Sequence, residues 1–150
     1  MTLAPGRIRA SNEGNRNVTE LSEEDERIVR ALFAVIQEFR ELDSDMQMPM
    51  AATFLLVALN DDISRTEVMH TLDVAGSTAT RNLMGLMEAG RLGRPGHALI
   101  DQRVNPNERR WRMHSMTPKG REVLSRLIGH VKRAMQDDGG RPEPRRRGPD

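Results

Sequence analysis

The spacing of apolar residues changes period twice along this chain, and that change limits the folds open to it. From residue 23 to 89 the apolar positions recur at helical intervals, after Gly90 they alternate, and from Pro118 they return to the helical interval. Ser22 followed by Glu23, Glu24 and Asp25 reads as a hydroxyl N-cap with acids at the positive end of a helix dipole. Ile28, Ala31, Leu32, Val35, Ile36, Phe39 and Leu42 then fall three and four apart, which predicts a helix near 23–43 with one apolar stripe. Pro49 suits the first turn of a second helix, 49–59, apolar nearly all round and therefore internal. Ser64 is placed to cap a short third helix at 65–72. Ser77 is placed to cap a fourth at 78–89, with Gly90 expected as its left-handed terminus. Ala98–Val104 and Arg109–Met116 read as two strands joined by Asn105-Pro106-Asn107-Glu108. Thr117-Pro118 opens a last helix with Val123, Leu124, Leu127, Ile128, Val131 and Met135 on one side. The predicted order is α-α-α-α-β-β-α, mainly α with a small β-hairpin.

One domain is expected within the 150 residues, at 19–136, between a flexible arm at 1–18 and a disordered, proline- and glycine-rich tail at 137–150. The formal net charge of +1 conceals a division. Residues 20–73 carry a net −9 and residues 74–135 a net +8, so the second half of the domain is suited to a polyanion. The absence of cysteine excludes disulfides, thiolate nucleophiles and cysteine zinc sites. No apolar run is long enough to span a bilayer and the N-terminus shows no signal core, which predicts a cytoplasmic chain without a membrane partner. The four histidines have no metal-binding spacing, and neither a nucleophile elbow nor a phosphate loop is present, so neither an enzyme nor a cofactor is expected.

Two short helices around a tight turn, the second opening on small hydroxyl residues, form a helix-turn-helix signal, and a basic hairpin after it makes the unit winged. Thr66-Glu67-Val68, Leu72, Val74, Ser77-Thr78-Ala79-Thr80-Arg81, Leu86 and Gly90 resemble the DNA-binding core of the multiple antibiotic resistance regulator (MarR) family. Asn105-Pro106-Asn107-Glu108-Arg109-Arg110 and Met116-Thr117-Pro118-Lys119-Gly120-Arg121 resemble that family's wing and final helix. The chain departs from the pattern at Asp73, where glycine is usual and where side-chain hydrogen bonding of the aspartate is expected to hold the turn. It departs also at Met69, Ala79, Met84, Gly85 and Glu108.

The resemblance implies a winged helix-turn-helix, with a DNA-binding core at 62–117 and dimerisation helices at 22–43 and 118–135. It further implies a dimeric repressor on a pseudo-palindromic operator. At the start of the recognition helix, Ser77, Thr78, Arg81 and Asn82 are the candidates to enter the major groove, and Thr80 is a candidate for phosphate. Arg109 and Arg110 are expected at the minor groove, with Arg94, Arg103 and Arg112 as phosphate clamps. Trp111 is expected to anchor the wing to the core. Ile28, Leu32, Val35, Phe39, Leu124, Leu127, Ile128 and Val131 are the candidate homodimer interface, because the terminal stripes exceed what one small core needs. The family's small-molecule effectors suggest a site at Met46, Met48, Met50 and Phe54, where ordinary core is the competing reading. Two other roles fit the same fold: a winged helix of phage or plasmid replication or partition, and one used for protein contact.

Overall fold

The computed structural model describes residues 20–136, so the arm and tail expected at the two ends lie outside the described residues. Within them, five helices and a three-stranded sheet follow in the order α1 (Glu23–Leu42), α2 (Met48–Leu59), β1 (Ile63–Ser64), α3 (Arg65–Leu72), α4 (Gly76–Leu86), β2 (Ile100–Val104), β3 (Arg112–Met116) and α5 (Pro118–Gln136). No helix among them is long and apolar enough to cross a membrane.

The helix starts follow local chemistry. Ser22 caps α1 by accepting the Asp25 N–H at 3.1 Å. Ser64 and Glu67 form a capping box on α3: the Ser64 hydroxyl accepts from Glu67 N at 3.2 Å, and Ser64 N donates to the Glu67 carboxylate at 2.7 Å. Thr117 accepts from Gly120 N at 3.0 Å and donates to the Ala98 carbonyl at 2.7 Å, which ties the start of α5 to the strand side of the molecule.

α1 and α5 pack along one another, and α2 lies against α3, α4 and β3. Phe39 of α1 meets Phe54 of α2 edge to face, with centroids 5.9 Å apart at 82°. Phe54, Val57, Val68, Leu86, Leu99 and Ile100 are fully buried, and Val123 and Leu127 of α5 nearly so. Burying side chains of this size contributes about 1.5–3 kcal/mol each. Gly85, a weak helix former, lies where α2 approaches α4. A Cβ there would stand 2.6 Å from the Met50 methyl, so the missing side chain is what admits Met50.

Four details differ from the sequence reading. A third strand, β1, pairs antiparallel with β3 (Ile63 opposite His114, Ser64 opposite Met113) and gives the sheet order β1-β3-β2. The N-cap of α4 is Ala75 rather than Ser77, because the chain turns sharply at Asp73 and regains helical geometry at Gly76. That turn is held by conformation and not by a carboxylate bond. Asp73 is left-handed (φ 51°, ψ 52°), and the backbone N–H groups of Asp73 and Val74 donate to Met69 O. Helix α4 stops at Leu86, three residues early, because its last carbonyls are taken by the next segment: His97 N bonds Gly85 O at 3.0 Å and Leu99 N bonds Leu86 O at 2.8 Å. Gly90 is left-handed as expected, but it sits in the following loop.

Candidate nucleic-acid interface

α3, the turn Asp73–Ala75 and α4 form the helix-turn-helix. The guanidinium of Arg65, at the start of α3, reaches across to the Gly76 carbonyl at 3.4 Å and the Thr80 hydroxyl at 3.3 Å, fixing the angle at which α4 leaves the turn. Ser77 and Arg81 are exposed on α4, and Thr78 and Thr80 are half-buried, so these four stay available at its N-terminal half. Asn82 does not. It is 4% exposed on the same face as Ala79, Leu83 and Leu86, and its Nδ2 has no hydrogen-bond partner among the described residues. A residue three beyond Ala79 and four before Leu86 falls on the packed side of the helix, which removes Asn82 from the reading surface.

The wing is built on β2 and β3. Asn105 shapes its tip: its side chain accepts from Asn107 N at 2.9 Å, and its backbone N–H donates to Trp111 O at 2.9 Å. This closed turn leaves Arg109 and Arg110 exposed at the tip, with Arg112 exposed just behind. Arg103 on β2 is not a free clamp. It pairs with Asp62, which stands at the entry to β1 in a left-handed conformation (φ 60°). Arg94 lies outside the wing, in the loop between α4 and β2.

Trp111 is 49% exposed and does not anchor the wing in the core. It stands beside a cleft of about 710 Å³ between α4 and the wing, whose apolar walls include Leu83, Met84 and Met87 and whose rim includes Arg65, Arg110 and Arg112. No carboxylate among the described residues lines it. His114, also on its wall, is 3% exposed, and its Nδ1 lies 3.1 Å from Ile63 O. Burial lowers its pKa below the ordinary 6.5, and the bond to Ile63 opposes that shift. At the expected effector site, Phe54 is core, Met50 fills the space at Gly85, Met46 packs on the core, and Met48 is exposed.

On the α1/α5 layer, Phe39 and Leu127 are buried within the protomer's own core, with Val35 and Leu124 packed against it. Ile28 (44%), Leu32 (58%), Ile128 (43%) and Val131 (40%) remain exposed, together with Phe33 (63%) and Met135 (73%). The exposed apolar face is therefore shifted from the predicted stripe toward Phe33. Glu38 joins the two helices from the side, bonding Arg126 Nε at 3.2 Å and His130 Nε2 at 3.0 Å. The His130 bond leads the causes that hold its carboxyl below the ordinary 4.5, the Arg126 bond adds to it, and burial opposes both.

Sequence reasoning missed Arg65, Asp62 and His114. Arg65 and Asp62 act through partners far along the chain, which local pattern does not reveal. His114 was visible only as an alternating polar position.

No protein-family model and no curated protein matches the chain. Solved structures do. RV1404 from Mycobacterium tuberculosis superposes with a TM-score of 0.56 at 22% identity, over 78% of this chain and 76% of that one. MarR superposes at 0.52 and 21% identity, over 72% of each chain. MepR of S. aureus, solved as a DNA complex, superposes at 0.60 and 14% identity, over 73% of this chain and 82% of that one. The chain has a MarR-like winged-helix fold.

Proposed function

We propose that the protein is a non-enzymatic, DNA-binding transcriptional regulator acting as a homodimeric repressor on a pseudo-palindromic operator. Arg81 on α4 and Arg109, Arg110 and Arg112 on the wing are all exposed. Arg110 and Arg112 border the cleft between α4 and the wing, which no carboxylate among the described residues lines, and this single arrangement supports the reading best. Helix α4 enters the major groove, with Ser77, Thr78 and Thr80 donating to phosphates or base edges and Arg81 forking onto guanine. The wing follows the backbone into the neighbouring minor groove. Two-fold pairing through the exposed faces of α1 and α5 sets the half-site spacing. The MepR–DNA complex, which shares the fold, supports the choice of duplex DNA.

Selection of bound duplexes from a random pool, followed by affinity measurements across a salt series, tests this. The expected result is an inverted repeat bound with steep salt dependence and at least a thousandfold preference over random duplex. Failure to retain any duplex at low salt would return the fold to a role in protein contact.

A further inference from the structure

The loop between α4 and β2 carries a second, smaller hairpin. Arg91 and Arg94 face each other in an antiparallel bridge, closed by Arg94 N donating to Arg91 O at 3.0 Å. The two residues between them, Leu92 (φ 53°) and Gly93 (φ 73°), are both left-handed, as a two-residue hairpin turn of the tightest kind requires. The base is pinned on several sides. Gly90 is left-handed, and a Cβ there would lie 2.0 Å from Arg94 O; Gly96 N bonds Glu88 O at 3.1 Å; and His97 contacts Asp43 at the end of α1 at 3.3 Å. The projection is thus a built feature of the fold.

What it displays serves folding poorly. Leu92 is 85% exposed in a conformation costly for a residue with a side chain. Directly opposed residues of an antiparallel pair point to the same face, about 4.5–5.5 Å apart at Cβ. Arg91 and Arg94 therefore hold two like charges side by side, which destabilises a hairpin. Among the described residues, neither has a carboxylate partner. Ala89 and Gly90, at the root of the projection, border the same cleft as Arg110 and Trp111, so the hairpin rises on the wing side of α4.

We infer that the Arg91–Arg94 hairpin is a second phosphate-binding tip, whose paired guanidinium groups take one backbone phosphate of the duplex between them beside the wing contact. Two parallel guanidinium groups match the oxygens of a phosphodiester, and the anion turns their repulsion into attraction. This inference rests on the DNA-binding reading.

The test uses the intact protein and the selected duplex, with affinity followed against salt. Arg91→Ala with Arg94→Ala should lower the slope of log affinity against log salt by about 2 for a dimer, near 0.9 for each phosphate released. The double lysine variant should keep most of the slope. Arg40→Ala with Lys132→Ala, which removes the same charge from the α1/α5 layer, should leave it unchanged. The thermal midpoint of the alanine variant at low salt should equal or exceed that of the wild type, which excludes misfolding as the cause. A wild-type slope in the alanine variant would overturn the inference while leaving the DNA-binding reading intact. An equal loss in the Arg40/Lys132 variant would also overturn it, by showing a diffuse charge effect. A wild-type protein that binds no duplex would overturn both.

Discussion

The α1/α5 layer and the winged half of the molecule solve opposite surface problems. On α1 and α5 the exposed residues out of keeping with water are apolar, Leu32, Phe33 and Met135 above all. On α4 and the wing they are arginines, and no carboxylate among the described residues lines the cleft between the two. The helical layer sends Phe39 and Leu127 into the shared core and still presents a second apolar face. The winged half sends Leu86, Leu99 and Ile100 into the same core and lines its projections with arginines, Leu92 and Trp111 being the apolar exceptions. The two surfaces thus differ in chemistry, one apolar and one rich in arginine, which suits the two partners proposed above, and each surface can be altered by substitutions that leave the other in place.

The largest expected effect comes from the helical side. Leu32→Glu with Phe33→Glu should convert a dimer into a folded monomer, seen by sedimentation at micromolar concentration with helical circular dichroism retained. A persisting dimer would move the interface elsewhere. The next is on the wing, where Arg109→Ala with Arg110→Ala should lower the salt slope by up to roughly 3–4 units if both residues of both protomers touch phosphate. An unchanged slope would leave the wing in solvent.

A smaller effect is expected at Arg81. Arg81→Ala should cost about 1–3 kcal/mol per half-site on the selected duplex and less on random duplex. Equal losses would make Arg81 a phosphate contact.

The smallest effect separates the two halves by pH. His114 has a depressed pKa, so its contribution to stability is complete above 6.5 and declines as pH falls below it toward its folded value. Glu38 is depressed from 4.5, so its contribution is complete above 4.5 and is lost only as pH falls further. Trp111, the one tryptophan, sits beside the sheet that holds His114. Its emission should begin to shift below pH 6.5, while helical circular dichroism holds into the carboxylate range. His114→Gln should abolish the early change and Glu38→Gln should flatten the late one. Coincident transitions in the wild type would mean that the two halves open together.

The helical half was legible because its signals are local. Ser22, Ser64 and Thr117 cap where hydroxyls precede helical spacing, and the stripes at 28–42 and 123–135 mark α1 and α5. The winged half was legible in order but not in detail. A two-residue strand such as β1 has no period to detect, and its pairing with His114 spans 51 positions of sequence. The end of α4 was misplaced because residues 97 and 99, well beyond it, take its last carbonyls. Asn82 looked like a reader from its type, although its spacing from Ala79, Leu83 and Leu86 already placed it inward. Arg94 is legible as a candidate phosphate contact, but the hairpin at 91–94 that pairs it with Arg91 carries no apolar rhythm to reveal it.

The cleft between α4 and the wing bears on how sequence is sensed without being touched. Had Trp111 plugged into the core, helix and wing would form one stiff block, with a fixed distance from major-groove to minor-groove contact. Open space separates them instead, and the wing is held at its far edge by the Arg103–Asp62 pair and the short β1 ladder. On the proposed DNA-binding reading, the two projections work as the jaws of a caliper. Duplexes whose groove width and local twist match the resting gap are gripped without deformation, and others must bend the jaws or themselves, so base pairs that no side chain reaches still weigh on the choice of site.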